Sequence, residues 1–142
     1  MFKTLESAAK GHNESLQQIL DQLIFNDQGL LPAIAQQYDS GEVLMMAWMN
    51  KAAIEESLTT GQVCYWSRSR QTFWRKGESS GQRQYLKSLS IDCDGDTLLL
   101  QVDQQGPACH TGRRSCFYLQ VHNDKVEVTT EPLIAPETLY RK

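Results

Sequence analysis

The sequence has no apolar run long enough to cross a bilayer, and its first residues contain none long enough for a secretory signal. It also lacks internal repeats, low-complexity tracts and a long linker rich in proline, glycine or serine. With 142 residues, of which 40% are hydrophobic, the chain is long enough to bury one core. These absences favour a soluble protein with no membrane partner, which we expect in the cytoplasm.

Cysteine is scarce, and none of the four cysteines stands in a CxxC pair. In a reducing compartment we expect thiols or metal ligands rather than disulfides, with Cys64 packing in the core. The net charge of -3 argues against bulk attraction to nucleic acid. One stretch is nevertheless basic and predicts a local anion site such as a phosphate pocket. A single acid, Glu78, opposes its six basic residues, which are Arg68, Arg70, Arg75, Lys76, Arg83 and Lys87.

Hydrophobic periodicity predicts an α+β fold that is mainly antiparallel β-sheet with one or two helices. Residues 1–28 are interpreted as a helical extension, because Leu16, Ile19, Leu20, Leu23 and Ile24 form an amphipathic stripe behind a cap at Asn13 or Ser15. Residues 29–142 are interpreted as a single domain. One helix is predicted over 51–60, between an Asn50 cap and Gly61. Strands are predicted over 32–38, 43–49, 63–67, 84–93, 98–102, 117–121 and 126–129.

Cys93, Cys109 and Cys116 are separated by 15 and 6 residues, which fits neither zinc-finger knuckles nor a redox pair. Three soft ligands without a clear fourth suggest a catalytic zinc site, where water takes the open position. The alternative is that they are small buried apolar residues. His110, next to Cys109, could be a fourth ligand, a proton carrier for that water, or a surface residue.

Asp92, Asp94 and Asp96 alternate along the chain. On an extended segment their carboxylates would share one side, while Cys93 would face the other. Magnesium would suit such a cluster, and a polar hairpin tip at Asp94-Gly95 is the alternative. If Cys93 faces away from its neighbours, the zinc that it binds could be completed by cysteines of a second chain.

Arginine and tryptophan occur together just before these segments. Arg68 and Arg70 could grip phosphate, and Trp74 could stack on a base. Together with nearby polar side chains they predict a nucleotide site, although a solvated basic strand pair with core aromatics would also explain them. The residues predicted to bind the substrate are Arg68, Arg70, Trp74, Lys76, Glu78 and Ser80.

Several ordered blocks closely resemble the phosphoribosyl-AMP cyclohydrolase family of histidine biosynthesis, over residues 31 to about 118. Blocks in matching order are more specific than any single motif. They are Ser67-Arg68-Ser69-Arg70; Trp74 with Lys76-Gly77-Glu78 and Ser80-Gly81; Gln84; Asp92-Cys93-Asp94 with Asp96; and Ala108-Cys109-His110-Thr111-Gly112 with Ser115-Cys116-Phe117.

The resemblance implies an intertwined homodimer whose zinc is held by Cys93 of one subunit and by Cys109 and Cys116 of the other. It implies magnesium at Asp92, Asp94 and Asp96. It also implies the reaction: water adds to C6 of the purine in 1-(5-phosphoribosyl)-AMP, and the N1–C6 bond opens to give a formimino-type carboxamide ribonucleotide. With about two dozen residues after Tyr118, we expect the monofunctional form, without the pyrophosphatase domain to which some cyclohydrolases are fused.

Two other functions compete with this one. A zinc nucleotide deaminase is disfavoured, because the chain lacks H-x-E followed by P-C-x-x-C. The second alternative is a structural-zinc module that binds a nucleotide or RNA through Arg68, Arg70 and Trp74 without turnover.

Overall fold

A computed structural model describes residues 1–139. The last three residues of the predicted domain, 140–142, lie outside this range. Eight strands and four helices are described. The strands are β1 (Leu31–Gln37), β2 (Val43–Met49), β3 (Cys64–Ser67), β4 (Thr72–Arg75), β5 (Gln84–Ile91), β6 (Leu98–Gln104), β7 (Leu119–His122) and β8 (Lys125–Val128). The helices are α1 (Phe2–Leu5), α2 (Leu16–Gln22), α3 (Lys51–Thr60) and α4 (Pro136–Leu139).

Six strands form one sheet in the order β4-β3-β2-β1-β6-β5. Neighbours are antiparallel except β1 and β6, which run parallel. The sheet curls, because the segment before β3 bonds to the start of the far edge strand: the Val63 N–H donates to the Gln84 carbonyl at 3.0 Å, and the Leu86 N–H to that of Gly61 at 2.8 Å. The α+β class is confirmed, with a sheet that is mainly antiparallel but includes one parallel pair.

The helix after β2 has the boundaries that the sequence predicted. The Asn50 side chain accepts a hydrogen bond from the Ala53 N–H at 2.8 Å, which caps an otherwise unpaired donor. Gly61 ends the helix with a φ of 75°, a left-handed conformation that glycine adopts without steric cost.

One sheet strand was not predicted. β4 follows a tight turn in which Gln71 has a φ of 52°, although that conformation normally selects glycine or asparagine. The turn therefore carried no recognisable signal, and its two strands are only four residues long. Pairing of Tyr65 with Trp74 and of Trp66 with Phe73 holds β4 on the sheet edge through aromatic contacts.

The core is formed by the sheet and by α3, whose Ala53 and Ile54 are fully buried. Along β1 and β6 every second residue is buried, as the two-residue period of a strand requires. In α2, whose N-terminus is capped by Ser15, Leu20 and the adjacent Leu23 join the core. Leu16 and Ile24 remain 57% and 58% exposed, so only part of the amphipathic stripe is buried within one chain. No helix within residues 1–139 is long and apolar enough to cross a membrane.

Strands β7 and β8 form a separate two-stranded sheet. Every residue of both strands is exposed. A lone hairpin is marginally stable in water, and this one carries apolar side chains on its surface. The exposed apolar residues in and next to it are Phe117, Leu119, Val121, Val126 and Val128.

Candidate active site

The loop after β4 and the end of β4 line a depression of about 280 Å³. Five of the six residues predicted to bind substrate lie there, namely Arg70, Trp74, Lys76, Glu78 and Ser80. The loop turns at Gly77, whose φ is 87° and where a Cβ would lie 2.6 Å from the Arg83 backbone nitrogen. Glycine is therefore needed to bring this loop against the chain that leads into β5.

The sixth residue, Arg68, lies in a neighbouring cleft of about 630 Å³. Its guanidinium stands 4.7 Å from the centre of the Trp48 ring, a cation–π contact. Trp74 lines both the cleft and the depression. Trp48 was missed at the sequence level, because in the hydrophobic run of β2 nothing distinguishes it from a core residue.

Lys76 connects the depression to the cysteines. It is only 7% exposed, and its ammonium lies 5.9 Å from the centre of the Trp74 ring. Burial lowers the pKa of Lys76, while the nearby Cys116 and Cys109, when ionised, raise it. A buried cation thus adjoins both the predicted nucleotide site and two of the predicted zinc ligands.

Cys109 and Cys116 come together in a loop of residues 108–116, here called the thiol loop. Burial, followed by the proximity of Cys109, raises the pKa of Cys116 to about 12. Cys116 is exposed as a residue, but its thiol is enclosed enough for desolvation to dominate. The Thr111 hydroxyl donates to the Cys109 sulfur at 3.1 Å. His110 is exposed beside this pair.

The thiol loop is held from two directions. The Cys116 N–H donates to the Leu44 carbonyl of β2 at 2.7 Å. On the other side the C-terminal segment docks on Gly112, whose carbonyl accepts the Leu133 N–H at 2.8 Å. A Cβ at Gly112 would overlap the Ile134 carbonyl oxygen, so only glycine allows this approach.

The aspartates lie in a second loop, residues 92–96, here called the carboxylate loop. The Asp92 side chain accepts the N–H groups of Asp96 and Thr97 at 3.0 and 3.2 Å. These hydrogen bonds lower the pKa of Asp92, and the bond from the Asp96 N–H has the largest effect. The neighbouring Asp92 carboxyl raises the pKa of Asp96.

The expected alternation across this loop is wrong. Possible ligand atoms of Asp92, Cys93 and Asp94 all lie within 4.8 Å of one another, so Cys93 does not face away from its neighbours. The reason is that β5 ends at Ile91 and the chain then turns, with the Gly95 N–H donating to the Asp92 carbonyl at 3.0 Å. A turn does not preserve the two-residue period of a strand.

The structure separates Cys93 from the other two predicted zinc ligands. Within residues 1–139, the group with Asp92 and Asp94 is the one cluster of three possible metal ligands, and it contains neither Cys109 nor Cys116. One chain therefore offers two half-sites, a pair of thiols and an exposed group of carboxylates with one thiol.

Cys64 lies in the core, as predicted, and is fully buried. Burial is the main cause that raises its pKa to about 12. Its backbone N–H donates to the Ser57 hydroxyl at 2.9 Å. Next to it, the buried Tyr65 hydroxyl donates to the Gln84 side chain at 2.7 Å, which gives Gln84 a packing role that its sequence motif did not reveal.

The chain is similar to proteins of one known family. The sequence model described as phosphoribosyl-AMP cyclohydrolase matches residues 45–118. Proteins named phosphoribosyl-AMP cyclohydrolase are similar along the full length: that of Chromohalobacter salexigens is 66% identical over 98% of this chain and 95% of its own. The protein from Alkalilimnicola ehrlichii is 66% identical over 100% of both chains. The protein from Hydrogenovibrio crunogenus is 60% identical over 99% of this chain and 96% of its own.

Proposed function

The chain belongs to the phosphoribosyl-AMP cyclohydrolase family, and we propose how its residues carry out the reaction. It is a hydrolase of histidine biosynthesis that opens the purine ring of 1-(5-phosphoribosyl)-AMP at the N1–C6 bond. The observation that carries this function is the similarity at 60–66% identity along nearly the whole chain. This similarity does not favour the alternative, a structural-zinc module that binds a nucleotide or RNA.

The nucleotide binds in the depression beside β4. This placement is supported by the residues that line the depression. They include two basic side chains, an indole and two polar side chains, namely Arg70, Lys76, Trp74, Glu78 and Ser80. Arginine binds phosphate oxygens in pairs, and an indole stacks on a purine. Arg68, in the adjoining cleft, is available to the second phosphate of the substrate.

Zinc is bound by Cys109 and Cys116 with Cys93. The donor set fits the metal, since thiolates are soft ligands and two of them lie side by side. A zinc ion held by these thiolates would lower the pKa of a bound water to about 7, which would supply a nucleophile at neutral pH. Thr111 holds the Cys109 sulfur through its hydroxyl. His110, exposed beside the pair, moves the proton between the attacking water and the leaving N1.

The zinc site is completed across a homodimer. Two observations support this: Cys93 stands apart from the thiol pair within one chain, and the β7–β8 hairpin exposes a row of apolar side chains, among them Val121 at 70%. Exposed patches of this kind commonly mark a protein interface. In a two-fold dimer each subunit would supply Cys93 to one site and the thiol loop to the other.

A subunit-mixing experiment tests the shared site. Cys93→Ala and Cys109→Ala are each purified, shown to be inactive, and then mixed under conditions that exchange subunits. Half of a random mixture is mixed dimer, and each mixed dimer holds one intact site, so about a quarter of the wild-type activity is expected. If all three ligands came from one chain, mixing would restore nothing, and the shared site would be rejected.

Magnesium is bound by Asp92, Asp94 and Asp96. Hard carboxylate oxygens are its preferred ligands, and the three residues are exposed within one short loop. The pKa of Asp96 is raised first by its side-chain hydrogen bond with Asp92, then by burial and the Asp92 charge, so the two carboxyl groups lie close enough to share a cation.

Turnover of phosphoribosyl-AMP is the direct test of function. The zinc-loaded protein with magnesium is mixed with the substrate, and ring opening is followed by its ultraviolet absorbance change, with a chelator-treated sample as control. Arg70→Ala should raise KM. Lys87→Ala is the matched control, because Lys87 lies in the same basic segment but over the Tyr38 ring at 5.2 Å. No turnover by folded, zinc-replete protein would contradict the function and favour oligonucleotide binding.

We place the enzyme in the cytoplasm. All four cysteines are free thiols, and thiol ligands persist where the compartment is reducing. Fractionation of the source cells with an antibody against the chain tests this location.

A further inference from the structure

The N-terminal segment, residues 2–24, contacts the carboxylate loop at Gly95. The Phe2 ring packs so closely on Gly95 that a Cβ there would overlap it. The Ile24 backbone N–H donates to the Gly95 carbonyl at 2.8 Å. Gly95 is buried, whereas Asp92, Cys93, Asp94 and Asp96 are exposed. A segment distant in sequence therefore holds the loop at its one covered residue.

The same segment forms the wall of a cavity next to the loop. The cavity has a volume of about 310 Å³, and its wall includes Phe2, Leu5 and Ile19 from the N-terminal segment and Ile91 and Asp92 from the other side. The segment is itself fastened to the core by two buried leucines, Leu20 and Leu23. Its contacts with Gly95 are thus tied to the folded domain rather than to a loose terminus.

The loop needs such support because its own charges oppose order. Three carboxylates lie within five residues, and like charges this close repel in the absence of a cation. The hydrogen bonds to the Asp92 side chain restrain the loop from within, and the contacts at Gly95 restrain it from outside. A loop held in place before the cation arrives loses less conformational freedom on binding, which raises affinity.

We propose that the N-terminal segment is a positioning element for the carboxylate loop, and that Phe2 and the Ile24 amide raise its affinity for a divalent cation. This inference rests on the proposed magnesium role of Asp92, Asp94 and Asp96. It assigns a task to the segment that the sequence identified only as a helical extension.

The test measures Mn²⁺ binding to the full-length, zinc-loaded protein by electron paramagnetic resonance of the free ion. Phe2→Ala should weaken binding by about fivefold to tenfold, and Phe2→Leu should recover most of the loss. Ile24→Pro removes the N–H donor, and the extended ψ of 142° at Leu23 suits a following proline. It should weaken binding similarly. Ile24→Ala, which keeps the amide and changes a side chain that is 58% exposed, should match wild type.

Wild-type affinity in both Phe2→Ala and Ile24→Pro would overturn the proposal. An equal loss in Ile24→Pro and Ile24→Ala would also overturn it, because the amide would then not be the cause. The proposed function fails in a different way: wild-type protein would bind no Mn²⁺ beyond what Asp94→Asn binds, and the magnesium assignment would fall together with this inference. Zinc content is measured in every sample, so that Mn²⁺ affinities are compared between samples with equal zinc.

Discussion

The thiol loop and the carboxylate loop carry the two candidate metal sites and differ in their environment. The thiol loop is packed between β2 and the C-terminal segment, and burial raises the pKa of Cys116. The carboxylate loop is exposed except at Gly95, where the N-terminal segment covers it. Soft ligands thus lie in a partly desolvated setting and hard ligands in water, each matched to the metal proposed for it.

The contrast would let one chain keep the two proposed metals apart. Magnesium retains several waters when bound, so an exposed loop suits it. Zinc takes thiolate ligands, and a catalytic zinc site keeps one position open for water. Cys93 is the exception, because it is a soft ligand in the exposed carboxylate loop. The proposed dimer would bring it to the thiol pair of a second chain.

The largest expected effect comes from removing a thiol of the zinc pair. Cys109→Ala should abolish bound zinc and lower kcat/KM on the order of a thousandfold, because the nucleophile is no longer activated. Zinc analysis and the ultraviolet assay measure both. Cys64→Ala is the control: it removes a buried thiol outside the site and should cost stability but retain zinc. A zinc-free Cys109→Ala protein with full activity would contradict the mechanism.

The next largest effect tests whether the two loops bind their metals independently. Asp94→Asn should weaken magnesium binding about tenfold to a hundredfold, since one charged ligand becomes neutral, without loss of zinc. Asp94 is the better choice than Asp92, whose side chain also holds the backbone of the loop. Titration calorimetry with magnesium measures the change. Loss of zinc together with magnesium would mean that the loops form one site.

A smaller effect tests how the thiol loop is anchored. Gly112→Ala should lower the free energy of unfolding by roughly 2 kcal/mol, because the residue has a φ of 85° and its Cβ would overlap the Ile134 carbonyl oxygen. Gly61→Ala, with a φ of 75° and no atom within 4 Å of the new Cβ, should cost about 1 kcal/mol from strain alone. Urea denaturation compares them, and equal losses would exclude the role of the C-terminal contact.

The smallest expected effect on stability comes from the ion pair of Arg75 with Glu56, which lies outside both loops. Arg75 donates two hydrogen bonds to Glu56, at 2.9 and 2.8 Å, and lowers the pKa of that carboxyl below its ordinary value of 4.5. The stabilisation is therefore present above the pKa of the unfolded carboxyl and is lost as pH falls through the lower folded value. Because the pair is half exposed, Glu56→Gln should cost under about 1 kcal/mol at neutral pH.

Denaturation at two pH values measures this effect. The difference between wild type and Glu56→Gln should shrink as the pH falls and vanish at an acid pH where both states bind the proton. A difference that persists there would show that the amide disturbs packing rather than charge. The loss of unfolding free energy in Gly112→Ala can then be compared with this small loss at a site outside both loops.

Local signals sufficed wherever a single residue type imposes a conformation. Asn50 and Gly61 delimited α3 because an amide caps free N–H groups and glycine adopts positive φ. β4 was missed because Gln71 takes a positive φ without a residue that indicates it. The interpretation of the carboxylate loop failed for a related reason: alternation holds only while the chain stays extended, and β5 ends one residue before Asp92.

The sequence by itself determined the fold class, the order of the family motifs and the types of ligand, because periodicity and side-chain chemistry are local properties. The tertiary structure decided which of those residues meet. It joined Cys109 to Cys116 and set Lys76 beside them, it kept Cys93 with Asp92 and Asp94, and it laid the N-terminal segment on Gly95. These pairings depend on how the sheet curls and the termini pack, which no local pattern encodes.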